Sequence, residues 1–231
     1  MQITRRDFAI NALALSASAV IVGYSGLDFV APAQAQDPSP AELMKVGPLG
    51  EMVLGDEKAP VTIIEYASMT CPHCASFHET TYPEVKTRYI DTGKVRFIFR
   101  EFPLDQLAAA GFMLARCAAQ DAAKGTADPS AGSGKYFAMI ETLFAQQKDW
   151  VVQRPLQPLL AIAKQAGFSE QAFNECLKNQ QVLEGIEEVR QRAATKLNVQ
   201  STPTFFINGK LVRGAMTIEE IEKQVAANLK G

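Results

Sequence analysis

The spacing of hydrophobic positions switches from two to about 3.6 and back again along this chain. Residues 61–67, VTIIEYA, are β-branched and almost continuously apolar, which predicts a strand buried on both faces of a sheet. The Pro- and Gly-rich lead-in before it, residues 37–58, has room for one short strand near residues 52–54. From Pro72 to about Ile90 the spacing is helical, with an interruption near Tyr82 and Pro83. KVRFIFREF, residues 94–102, alternates again and predicts a second strand. Between residues 104 and 198 apolar residues recur every three to four positions in five stretches, and residues 125–134 form a flexible loop after the first. TFFINGKLVRGA then predicts a hairpin turning on Asn208-Gly209, and IEEIEKQVAANL a closing amphipathic helix. The fold class is α/β: two halves of a small unit, residues 36–103 and 199–231, flank a helical insert over residues 104–198.

The first 35 residues have a different character. A basic start with Arg5 and Arg6 precedes an apolar, alanine-rich run over residues 9–22, and Ala33 and Ala35 in APAQAQ have the small-x-small spacing of a cleavage site. This predicts a signal peptide cut after Ala35; a retained anchor is the alternative. TRRDF, residues 4–8, resembles a twin-arginine signal, although two arginines also suit the general secretory route. Export places the rest of the chain in an oxidising compartment, the bacterial periplasm. The net charge of −2 and the lack of a long basic run argue against nucleic acid as a partner. Arg190, Arg192 and Lys196 are expected on the solvated face of a helix.

The chemistry is concentrated in CPHC, residues 71–74. Zinc would need two more ligands at matching spacing, and the chain has only two other cysteines, standing alone, and two histidines. Metal is therefore not expected, nor any cofactor. A static staple across so short a loop contributes little stability. Redox exchange fits better. Cys71 stands where a helix begins, among unpaired N–H groups at the positive end of the helix dipole, and a protonated His73 would add to the stabilisation of its thiolate. Stabilising the thiolate favours the dithiol and makes the disulfide a stronger oxidant. Cys74, one turn inside the helix, is expected to be the buried resolving thiol and Cys71 the exposed nucleophile. A binding module or holdase in which the CxxC merely staples is the non-catalytic alternative.

CPHC after a buried strand, a long helical insert, and STPTF (residues 201–205) before the last hairpin make the chain resemble the DsbA family of thiol:disulfide oxidoreductases, which have the thioredoxin fold. The resemblance implies a cis-proline at Pro203 facing the CxxC, and Pro72 and His73 as the dipeptide of strongly oxidising members. It implies a reactive cysteine with a pKa of about 3.5 and a potential of about −120 mV. Glu65, six residues before Cys71, matches an acidic residue that assists proton transfer at the buried cysteine; a strand-edge glutamate facing solvent is the alternative. His78 is expected to be a surface or packing histidine. The resemblance also implies a second bridge between Cys117 and Cys176, which would close a loop of about 60 residues and contribute roughly 4 kcal/mol. Thr202 departs from the oxidase pattern, since threonine before the cis-proline is common among isomerases. Those generally oligomerise through an N-terminal extension, for which about 25 residues after the cleavage site are too few; a monomer is expected. The family implies reduced exported proteins as substrates and a membrane quinone-linked reoxidase as partner.

Overall fold

The computed structural model describes residues 38–126 and 131–229. The leader expected over residues 1–35 lies outside the described residues, as does part of the loop at 125–134. Five strands, β1 (Met52–Leu54), β2 (Val61–Ala67), β3 (Val95–Glu101), β4 (Thr204–Ile207) and β5 (Lys210–Arg213), form one sheet in the order β1-β3-β2-β4-β5. β2 and β3 run parallel, from Val61 opposite Val95 to Ala67 opposite Glu101. The other neighbouring pairs are antiparallel. Asn208 and Gly209 turn the β4–β5 hairpin with φ of 45° and 87°, values that favour asparagine and glycine.

Alternation along the strands sorts two apolar layers. Val61, Ile63, Ala67, Phe97, Phe99, Phe205 and Ile207 face one, while Ile64, Tyr66, Ile98 and Phe206 face the other. The first layer is covered by α2 (Pro72–Thr80), α4 (Gln106–Ala122), α5 (Ser133–Ala145) and α10 (Ile218–Leu229). The second lies against the end of α9 (Gln180–Lys196), through Val189 and Ala193, and Leu43 of α1 (Pro40–Leu43). β2 is therefore buried on both faces, and the turn that leaves its C-terminal end is anchored from below.

Some elements depart from the periodicity. α1 forms in the lead-in because Ser39 caps it, Pro40 opens it and Leu43 is buried; four residues are too few to show a period. The first long helix ends at Thr80, restarts as α3 (Tyr82–Val85) with Pro83 in its first turn, and closes in a π-helical turn at Lys86–Ile90. α6 (Gln147–Trp150) is a single turn fixed by the buried Trp150, whose indole N–H donates to the Leu143 carbonyl at 2.8 Å. α7 (Leu156–Gln165) and α8 (Glu170–Leu177) follow as expected. Arg190 and Arg192 are not simply solvated, since they donate to the Pro103 carbonyl at 2.9 Å and the Lys45 carbonyl at 2.5 Å.

Buried charge links the helices to the sheet. Arg116 on α4 binds both carboxylate oxygens of Glu101 at the end of β3, at 2.5 and 2.9 Å, and the Tyr136 hydroxyl of α5 donates to the same carboxylate at 2.7 Å. A third arm of Arg116 reaches the carbonyls of Leu49 and Gly50. Burial alone would push the Glu101 carboxyl up, but Arg116 and Tyr136 hold it below the usual carboxylate range. Replacing Arg116 by Met would leave an uncompensated buried carboxylate. We expect a loss of about 3–5 kcal/mol, measured by urea unfolding; a loss below about 1 kcal/mol would show that the network does not bear on stability.

Candidate active site

β2 ends at Ala67, and the next residues make a turn that delivers Cys71 to the start of α2. Cys71 is the N-cap residue, with φ −79° and ψ 119°, and Pro72 occupies the first helical position, where a missing N–H costs nothing. Five hydrogen bonds hold the turn. Cys71 N–H donates to the Ser68 carbonyl at 3.1 Å. Ser68 Oγ accepts from Leu104 N–H at 3.3 Å. Thr70 Oγ1 donates to Asp105 at 2.7 Å, and Asp105 also caps α4. Gln147, from α6, donates one amide to the carbonyls of both Met69 (2.9 Å) and Cys71 (3.0 Å). Gly111 lets α4 come close: a Cβ there would stand 3.2 Å from the Met69 side chain.

The two thiols are free and differ sharply. The Cys71 thiol is lowered from its ordinary 9.0 to about 5. The Cys74 thiol is the largest cause, donating to the Cys71 sulfur; burial opposes it, and the Thr202 side chain and the backbone N–H groups of Cys74 and His73 reinforce it. Cys74 moves the other way, well above its ordinary value, through burial first, then Cys71 and Glu65. Cys71 as a thiol donates to the Thr202 carbonyl at 3.3 Å. On ionisation that contact loses its proton, and the Thr202 hydroxyl, buried and without a partner among the described residues, becomes the donor. The Thr202–Pro203 bond is cis.

One expectation changes. Cys71 is only 5% exposed rather than open to solvent, though Pro72 and His73 beside it are exposed. His73 acts on the sulfur through its backbone N–H, with its imidazole in solvent.

Glu65 is fully buried and not a strand-edge residue. It shares the β2 face of Ile63 and Ala67, beneath α2, and its charge acts on Cys74. His78 is a partner of the site, not a surface or purely packing histidine: its Nε2 lies 2.9 Å from Glu65 Oε2. Its ring stacks on Phe144 at 4.5 Å and packs on Tyr82 at 4.7 Å.

The fold thus brings Glu65, Cys71, Pro72, His73, Cys74, Thr202 and Pro203 together. Cys117 and Cys176 form a disulfide elsewhere, joining α4 to α8 with Cα atoms 6.1 Å apart. Gln147 and Asp105 carry no signal in the sequence. His78 does carry one: it lies one turn after Cys74 on the same helix face, and strand alternation turns Glu65 towards that face.

Comparison with known proteins gives a consistent family. A family model described as thioredoxin matches residues 49–227. A protein of Rickettsia felis, provisionally named a protein-disulfide oxidoreductase, is 32% identical over 177 residues, covering 76% of this chain and 59% of the relative. The chain therefore spans less than two thirds of that relative's length. Disulfide bond formation protein D of Bacillus subtilis is 29% identical, covering 79% of this chain and 78% of the relative. The crystal structure of a double cysteine-to-alanine variant of Wolbachia pipientis alpha-DsbA1 superposes with a TM-score of 0.69 at 30% identity, covering 82% of this chain and 96% of that one. The chain belongs to the thioredoxin family, in its DsbA-like branch.

The depressed thiol couples the stability of the reduced protein to pH. A thiol at about 5 when folded, against 9.0 ordinarily, stabilises the reduced fold fully above about pH 9 and loses that contribution as pH falls towards 5. The oxidised protein has no such thiol. We expect the thiolate absorbance of the reduced protein to titrate with a midpoint near 5, and the unfolding midpoint of the reduced protein to rise relative to the oxidised form between pH 5 and pH 9. Thr202→Val should move the absorbance midpoint upward. A thiolate midpoint near 9 in the wild type would contradict the geometry.

Proposed function

We propose that the protein is an exported protein-disulfide oxidase working through Cys71 and Cys74. One observation carries the reading: within a single helical turn, one sulfur is stabilised as an anion while its partner is buried and held protonated. In the oxidised enzyme a substrate thiolate attacks Cys71 Sγ. The Cys71–Cys74 bond breaks, its electron pair passes to Cys74 Sγ, and Cys74 takes a proton from the Glu65 carboxyl. A second thiolate of the substrate then attacks the substrate sulfur of the mixed disulfide, and Cys71 leaves as its stabilised thiolate. The substrate leaves oxidised by two electrons and the enzyme holds a dithiol. A membrane quinone-linked reoxidase takes those electrons and restores the disulfide.

The substrates are reduced exported proteins, and Thr202 and Pro203 flank Cys71 where a substrate chain would lie. The twin-arginine-like leader supports periplasmic location, and the Bacillus subtilis relative's name, disulfide bond formation protein D, agrees with the chemistry. Residues 104–198 serve as an insert supporting the CxxC turn, and the working form is a monomer. Thr202 favours a second reading, a disulfide isomerase or reductase kept in the dithiol state.

Oxidative refolding of reduced, unfolded ribonuclease separates these. Stoichiometric oxidised protein is expected to restore activity and Cys71→Ser to abolish it, while Cys74→Ser, given scrambled ribonuclease, should accumulate a mixed disulfide through attack of Cys71 on a substrate disulfide. Wild-type turnover by Cys71→Ser would refute the mechanism. Faster repair of scrambled ribonuclease by the dithiol form than oxidation by the disulfide form would favour the isomerase.

A further inference from the structure

Cys71 is held by three parts of the chain that lie far apart in sequence. Its N–H donates to the Ser68 carbonyl just after β2, and its thiol donates to the Thr202 carbonyl just before β4. The third hold comes from α6. Gln147 Nε2 donates to the Met69 carbonyl at 2.9 Å and to the Cys71 carbonyl at 3.0 Å. Among the described residues, no other side chain of the helical segment between β3 and β4 hydrogen-bonds Cys71. α6 is a single turn that buries only Gln147 and Trp150. Trp150 fixes that turn through its indole bond to the Leu143 carbonyl and by meeting Met69 at Gly111, where an added Cβ would stand 3.2 Å from Met69 and 3.3 Å from Trp150.

Two carbonyl oxygens that share one nitrogen bring their negative ends together, which is unfavourable unless a donor stands between them. The Cys71 carbonyl also accepts the Ala75 N–H at 3.1 Å, so both of its lone pairs are engaged. The Cys71 backbone therefore has little freedom to turn at the N-cap. Its sulfur depends on that. The Cys74 thiol and the backbone N–H groups of Cys74 and His73 reach it from α2, while the Thr202 side chain reaches it from the opposite wall. These donors converge on the sulfur only while the Cys71 backbone keeps its place. A leucine would fill the space of Gln147 without any donor, so packing alone does not call for an amide there. The titratable groups about the sulfur are Cys74 and His73 of α2, Glu65 of β2 acting through Cys74, and Asp105 at the start of α4, bound to Thr70. On α6 itself, Lys148 and Asp149 are exposed.

We propose that Gln147 is a positioning residue for thiol exchange, whose amide fixes the Cys71 backbone so that the sulfur stays among its donors, and through which the helical segment sets the oxidising strength of the Cys71–Cys74 pair. The inference rests on the oxidase reading and deepens it. In the disulfide the Cys71 sulfur is uncharged and tethered to Cys74, so loss of the amide weakens the dithiol more than the disulfide. During exchange, the second substrate thiolate displaces Cys71, and the electron pair of the broken bond leaves on its sulfur. A sulfur shifted away from its donors is a poorer leaving group.

Two variants separate positioning from packing. Gln147→Leu keeps the bulk and removes the donor. Gln147→Glu keeps the shape; its carboxyl donates to one carbonyl while protonated and confronts both as an anion once ionised. In graded glutathione buffers, Gln147→Leu should lower the equilibrium constant for oxidising glutathione by about three- to tenfold, the effect of one lost hydrogen bond. Its thiolate absorbance midpoint should move upward, and in urea its dithiol form should lose more stability than its disulfide form. Gln147→Glu should be close to wild type while its carboxyl is protonated and become less oxidising than wild type as that carboxyl ionises. Equal destabilisation of both redox forms, with equilibrium constant and midpoint unchanged, would overturn the proposal and leave Gln147 a packing strut. A Gln147→Glu equilibrium constant that follows wild type between about pH 5 and pH 9 would overturn it as well. Should Gln147→Leu fail to fold, Gln147→Glu carries the test alone, because its two charge states are compared within one protein. The oxidase reading is judged on the wild type: a potential in the range of thioredoxin would end it, while the difference between wild type and variant would still decide the role of Gln147.

Discussion

Everything in the site depends on the hydrogen bond from the Cys74 thiol to the Cys71 sulfur at the start of α2. It is favourable only if one sulfur is ionised and the other is not, so the environment has to pull two chemically identical groups in opposite directions. Helix geometry does half of this. The N-cap position offers Cys71 the free N–H groups of the first turn, and the position three residues on points Cys74 into the core. Burial against the sheet does the rest, with the Glu65 charge reinforcing it. A disulfide between such sulfurs gives up stabilisation that the dithiol enjoys, which is the physical meaning of an oxidising bond.

That arrangement tolerates little movement, and most of the contacts outside the sheet limit it. The turn between β2 and α2 is held from the α4 side by Asp105 and from the α6 side by Gln147. Those helices are themselves fixed. Arg116 locks α4 to the end of β3 through Glu101, Tyr136 brings α5 into the same network, and the Cys117–Cys176 bridge ties α4 to α8. The helical segment between β3 and β4 thus works as a brace for one turn of backbone. Its buried ion pair adds fixed geometry more than net stability, because desolvating both charges offsets much of their attraction.

Much of this is legible in the sequence because it is local. Val61–Ala67 declares a doubly buried strand by composition, Asn208-Gly209 fixes a hairpin by its φ requirements, and CPHC states its chemistry by spacing and position. Glu65 is legible as an anomaly, a carboxyl in an apolar strand. What is not legible depends on residues far apart in sequence meeting. Gln147 reaches Cys71 across 76 positions, and nothing local distinguishes it from Gln146. A histidine in a polar helix is ordinarily a surface or packing residue; the contact of His78 with Glu65 appears only when strand alternation and helix phase are combined. His73 reaches the Cys71 sulfur through its backbone amide, a contact that its place two residues on in the first helical turn already offers.

The most direct test of the central claim is the equilibrium of the Cys71–Cys74 pair with graded glutathione buffers, read by trapping the thiols. Opposed thiols of this kind predict a potential near the oxidising end of the family range, about −120 mV. A value near about −270 mV, as in thioredoxin, would mean that the anion at Cys71 is not stabilised enough to drive the disulfide onto substrates, and the account of the site would fail.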